Sequence, residues 1–112
     1  MNDQDRIERW LGELEDALSQ AAMLVARGED AYAEDPAIPL AFEALVNRVG
    51  DLAKRLTSAT GDRFRHPMWR AAARTRDFVV HHYDRIDQEL LWRTVSVSFP
   101  KLAELLDEEW NH

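Results

Sequence analysis

Residues 74–83 read RTRDFVVHHY, and three side chains in that stretch suit work on a phosphate. Arg76 carries a permanent charge on a planar fork that matches phosphate oxygens and can stabilise charge developing during phosphoryl transfer. His81 can take or give a proton near neutral pH. Tyr83 adds a phenolic hydroxyl two residues further on. On an ideal helix, at about 100° per residue, Arg76 and Tyr83 lie within about 20° of each other, whereas His81 points about 140° away from Arg76. One straight helix therefore cannot aim Arg76 and His81 at the same atom. Either the helix loosens at the histidines, or the site is shared with a second copy across a two-fold axis. The second arrangement is preferred here, because it gathers two arginines and two histidines around one phosphate.

Each of these residues also has a plainer reading. Arg70, Arg74 and Arg76 can form a solvated helix face, and Tyr83 can be a core tyrosine with a satisfied hydroxyl. His82 is read as a solvent-facing or supporting residue beside His81. The group His81, His82, Asp84 and Asp87 has metal-ligating residue types but not the spacing of a familiar helical ligand pair. No metal and no cofactor is expected. Glycine-rich phosphate loops, HExxH pairs and GxSxG elbows are absent.

The elements that must hold these residues read as helices throughout. Ile7, Leu11, Leu14, Leu18, Ala21 and Val25 recur every three or four residues, with Asp3 or Asp5 as N-cap and Gly28 as C-terminal cap. The acids of GEDAYAEDP mark a solvated connection, and Pro36 and Pro39 restrict the backbone before a second helix. That helix buries Leu45, Val46, Val49, Leu52, Ala53 and Leu56 and ends near 58–61. Pro67 suits a first helical position and opens the third helix, which carries the histidines. Asp84 or Asp87 caps a fourth, with Leu90, Leu91, Val95 and Phe99 turned inward. Pro100 must kink or restart that helix. Trp10, Trp69, Trp92 and Trp110 are read as core or interface anchors. The expected fold is all-α, a bundle of four to five helices forming a single domain over 1–112.

Charge is unevenly spread along this acidic chain of net charge −7. Residues 1–35 hold ten acids against three bases, while residues 63–86 hold six arginines against Asp77 and Asp84. A local basic band in an acidic protein suits one phosphate site better than a general nucleic-acid coat. Lys54, Arg55, Arg63 and Arg65 are weaker candidates for further phosphate contacts. No stretch approaches the roughly 20 apolar residues of a membrane span, and MNDQDRIERW lacks the apolar core of a secretion signal. With no cysteine there are no disulfides or thiolate metal sites. A cytoplasmic location is expected, without membrane association.

The stretch RDFVVHHY at 76–83 resembles the R-X4-H-X-Y motif of HepT toxins, a branch of the HEPN ribonuclease superfamily. VNRVGDLAKRL is similar to that family's second-helix segment. RHPMWRAAARTRDFVVHHYDRIDQELLWRTVSVSFPKL resembles its proline-led helix, motif, ID turn, tryptophan and P-x-L block. The likeness spans roughly 5–108. It implies a HEPN-like bundle dimerising through the motif helices, and a metal-independent endoribonuclease in which the RNA 2′-OH attacks the adjacent phosphorus. By position, Arg76 would bind the phosphate and His81 would handle protons. Asp77 and His82 would support them; the family more often has asparagine where Asp77 stands. Tyr83 matches the tyrosine that receives AMP from an MNT-type nucleotidyltransferase antitoxin, as in a type VII-like toxin–antitoxin pair. The alternative is a non-catalytic helical substrate-binding partner of such a nucleotidyltransferase.

Overall fold

The computed structural model describes residues 2–60, 62–81 and 87–110, and side-chain surroundings for all of these except 76–81. Its elements are α1 (Asp3–Val25), α2 (Glu29–Glu34), α3 (Ala37–Ala59), α4 (Pro67–His81), α5 (Gln88–Arg93), a π-helical turn (Thr94–Ser98) and α6 (Phe99–Trp110). Taking α5, the π-turn and α6 as one interrupted helix gives five helical segments among the described residues, the upper end of the four to five expected. None of these helices is long and apolar enough to cross a membrane.

The apolar stripe of α1 is buried as its spacing requires, from Ile7 to Ala21, with Val25 partly buried. Its N-cap is Asn2, not Asp3 or Asp5: the Asn2 Oδ1 accepts from the Asp5 backbone N at 2.8 Å. The two aspartates occupy the first turn instead, where negative charge faces the positive end of the helix dipole. At the other end the chain tightens through Arg27 N to Leu24 O (3.1 Å) and Gly28 N to Val25 O (3.0 Å). Gly28 then turns the chain with φ 96°, a region open to glycine at little cost.

The segment read as a solvated connection contains a helix. Within α2 the acids face outward and Tyr32 turns into the core, with Ala31 partly buried beside it. Its hydroxyl lies 2.9 Å from the Gln88 carbonyl and 2.8 Å from Gln88 Oε1, so one proton is shared between two acceptors on α5. The Tyr32 ring meets Phe42 at 5.1 Å and Trp92 at 5.2 Å, and Phe42 stacks on Trp92 at 5.9 Å. These three rings tie α2, α3 and α5 together. Pro39 falls inside α3 rather than before it, in the first turn, where a missing N–H costs nothing.

α3 is the central helix, packed against α1, α4, α5 and α2. Every residue expected to be buried on it is buried, and Ile38 and Phe42 extend the stripe to its first turns. Further along, Leu91, Val95 and Phe99 are buried as expected, but Leu90 is 38% exposed. The π-turn explains how Pro100 is accommodated. The Phe99 N–H bonds to the Thr94 carbonyl, five residues back, and this wider turn makes room for a ring that would collide with the carbonyl of Ser96 in a regular helix. Trp69 is fully buried, Trp10 and Trp92 pack partly against the core, and Trp110 is 43% exposed.

Two outcomes follow from this packing. Phe42→Ala, which empties a fully buried site, should cost about 3–5 kcal/mol in denaturant unfolding, whereas Leu40→Ala, at an exposed site, should stay within about 0.5 kcal/mol. Burial first, then Glu43 and Asp87, hold the Tyr32 phenol above its ordinary value of 10.0. The folded state thus favours the neutral phenol. The stability this contributes is complete below pH 10.0 and is lost as pH rises through the folded-state value. Alkaline unfolding followed by tryptophan fluorescence should show that loss, and Tyr32→Phe should flatten it.

Candidate functional site

The motif helix is fixed at its start by contacts that set its rotation. Arg63 donates from Nε to Glu109 Oε1 at 3.0 Å and from a terminal nitrogen to the Glu109 carbonyl at 3.1 Å, and both partners are largely buried. The Arg63 guanidinium also lies 5.3 Å from the centre of the Phe64 ring. Phe64 in turn meets Trp69 edge-on at 5.0 Å. This chain of contacts binds the approach to α4 to the end of α6. The His66 Nδ1 then accepts from the Met68 backbone N at 3.1 Å, capping α4 with a ring nitrogen, and Pro67 takes the first helical position.

α4 folds back along α3, with Trp69 buried against the core and Ala72 and Ala73 partly buried beside it. The opposite side carries Arg70 and Arg74, both exposed. Neither has an ion pair or hydrogen bond among the described residues. The weaker basic candidates differ. Arg63 is committed to Glu109, Arg55 pairs with Asp51 at 3.1 Å and Arg65 pairs with Asp62 at 2.9 Å. Arg63 is therefore a structural residue, not a phosphate contact.

The helix is continuous through position 81. The positions of Arg76, Asp77 and His81 thus belong to one uninterrupted α-helix, and their side chains lie outside the described surroundings. His82 and Tyr83 fall in 82–86, also outside the described residues. Of the two candidate caps for α5, Asp84 is likewise outside, and Asp87 is the cap: its Oδ1 accepts from Glu89 N at 3.0 Å and Leu90 N at 3.1 Å. Among the described residues no three histidine, aspartate or glutamate side chains gather as a metal cluster.

A groove of about 340 Å³ runs beside α4, closed on its other side by the π-turn and α6. His66, Met68, Arg74 and Thr75 line it from the α4 side, and Thr94 and Ser98 from the π-turn. The threonines and the serine were not singled out in the sequence, because threonine and serine within helices carry no signal of their own. A larger groove, about 970 Å³, lies elsewhere, between α2, the start of α3 and α5. It is lined by Tyr32, Trp92, Leu40 and Glu43 among others, and by no α4 residue among those whose side chains are described. The arginine-bearing helix, rather than the larger groove, carries the residues suited to phosphate chemistry.

Comparisons with known proteins agree with the family resemblance. A family model described as HepT-like, "Ribonuclease HepT-like", matches residues 14–109. A curated protein of Caldanaerobacter subterraneus subsp. tengcongensis, "Putative RNase TTE0752", is 23% identical over 99 residues, covering 85% of this chain and 88% of the relative. No solved structure gives a significant match.

The clamp at the head of α4 should be measurable. Glu109→Ala leaves the mostly buried Arg63 guanidinium without its carboxylate and should cost about 1–3 kcal/mol in denaturant unfolding. Asp62→Ala, which removes an exposed pair, should cost less than about 1 kcal/mol.

Proposed function

The chain belongs to the ribonuclease HepT-like family of endoribonucleases, and from that premise we propose a metal-independent RNA-cutting toxin whose site is shared by two copies. The observation that carries the proposal is the unbroken course of α4 through position 81. Within one chain, positions 76 and 81 are about 140° apart around the helix axis. A loosened helix end would have relieved that separation inside one chain; a continuous helix favours two motif helices facing each other across a two-fold axis.

In this cleft one His81 takes the proton from the RNA 2′-OH. The oxygen attacks the adjacent phosphorus, the bond to the 5′-oxygen breaks, and that imidazole, now protonated, returns the proton to the leaving oxygen. The products are a 2′,3′-cyclic phosphate and a 5′-OH. Arg76 stabilises the charge that accumulates on the non-bridging oxygens. Asp77 and His82 support the cleft by orienting these groups. No metal or cofactor enters the step.

Regulation by a nucleotidyltransferase follows from Tyr83. Its hydroxyl attacks the α-phosphorus of ATP on an MNT-type antitoxin, pyrophosphate leaves, and AMP is joined to the tyrosine. Arg76 and Tyr83 share a side of an ideal helix. The added phosphodiester and its bulk would then occupy the position that the substrate phosphate needs.

Purified protein should cut RNA in excess chelator, and Arg76→Ala or His81→Ala should each reduce cleavage by about 10²-fold or more. Activity surviving both changes would overturn the assignment of these residues. A protein with no cleavage that still binds the nucleotidyltransferase would favour the non-catalytic partner. Co-expression with such an antitoxin should add the mass of AMP to the chain, and Tyr83→Phe should remove that addition.

A further inference from the structure

The groove beside α4 combines three features that the reading of Arg76 and His81 does not use. First, Arg74 lines it as an exposed cation with no partner among the described residues, on the same helix as the motif and two residues before Arg76. Seven residues separate positions 74 and 81, so on an α-helix they fall within about 20° of each other. Arg74, at one edge of the groove, is therefore the lining residue that shares its side of α4 with position 81. Second, at about 340 Å³ it is at the small end of the ligand-site range of roughly 300–1,000 Å³. That suits one nucleotide, not a stacked run. Third, its walls have a defined hydrogen-bonding sense. Thr75 Oγ1 donates to the Ala71 carbonyl at 2.9 Å, and Thr94 Oγ1 donates to the Leu90 carbonyl at 2.8 Å. With both hydroxyl protons committed to the helix backbone, the oxygens offer lone pairs. His66 Nδ1 is likewise committed, as an acceptor from Met68 N.

We infer that this groove is a nucleotide subsite for RNA beside the scissile phosphate, with Arg74 holding the neighbouring phosphate and Thr75 and Thr94 accepting from an exocyclic amine of the base. The inference rests on the ribonuclease reading and gives it a base preference. Adenine, cytosine and guanine each carry an exocyclic amine whose two N–H groups can reach both oxygens; uracil offers the single N3–H, recessed between two carbonyl oxygens that face acceptors unable to donate. A uridine at that position is therefore disfavoured. Met68, partly buried at the groove wall, gives the base an apolar surface to lie against.

Cleavage of RNA oligonucleotides randomised on either side of one cut site tests this. For the unaltered protein, cleavage should discriminate against uridine at one flanking position by roughly two- to tenfold, the worth of one hydrogen bond. Thr75→Val keeps the side-chain shape and should remove most of that preference without lowering cleavage of uridine-bearing sites. Arg74→Ala should raise KM more than it lowers kcat, and should reduce the slope of log KM against log salt by about 0.7, one phosphate contact on a single strand. Arg74→Lys should restore the slope. Arg55→Ala, an equal loss of charge outside the groove, should change neither. If RNA is cut but base preference and salt slope are unmoved by Thr75→Val and Arg74→Ala, the subsite is wrong and the ribonuclease reading stands. If the unaltered protein cuts no RNA, both fall.

Discussion

A helix that stays regular over 15 residues fixes where each side chain leaves its axis, and the function proposed for this protein depends on that constraint. Five residues is the wrong interval for two groups that must meet on one side of an α-helix. The continuity of α4 through position 81 turns this mismatch into an argument about assembly: groups kept apart within a chain can converge when two such helices face each other. The phase of the helix matters as much as its continuity. It is set by Trp69 in the core, by Phe64 against Trp69, and by the Arg63–Glu109 pair that joins the approach to α4 with the end of α6. A partly buried ion pair is a poor source of net stability but a good device for fixing register, since either partner alone would be left as an uncompensated charge.

Electrostatics divides the arginines into two kinds. Arg55, Arg63 and Arg65 are balanced by Asp51, Glu109 and Asp62. Arg70 and Arg74, on the exposed side of α4, have no such balance among the described residues. In a chain of net charge −7, unbalanced cations on one helix create a local field that draws a polyanion to one place while the remainder repels it. On the proposed function, substrate approach and discrimination against non-specific nucleic-acid binding then share one source, this charge distribution.

Much of this could be read in the residues themselves. The stripes of α1 and α3 repeat at helical spacing, Pro67 marks the start of α4, and Asp87 caps α5, because each depends on neighbours within a turn. Tyr32 could not be read that way. One apolar ring among acids looks like solvated chain until Phe42 and Trp92, distant in sequence, are brought to within 5.1 and 5.2 Å of it. The π-turn before Pro100 was legible only as a disturbance, since a proline demands relief without stating its form. Asn2 takes the cap in place of the two aspartates because the helix starts one residue earlier, at Asp3, which leaves the Asn2 oxygen within 2.8 Å of the Asp5 N–H. The same division holds at the site. Arg76, His81 and Tyr83, the residues proposed for catalysis and regulation, are close in sequence, so types and spacing alone raise them as candidates; Thr75, Thr94 and Ser98 come from two helices and share a groove only after folding.

The central claim is that two copies build one catalytic cleft, and subunit complementation tests it most directly. Arg76→Ala and His81→Ala proteins, each inactive alone, should regain RNA cleavage when co-expressed and purified as a mixed dimer, because one subunit supplies the arginine and the other the histidine. A mixed dimer as inactive as either parent, with dimer formation verified by intact-complex mass, would contradict the shared cleft.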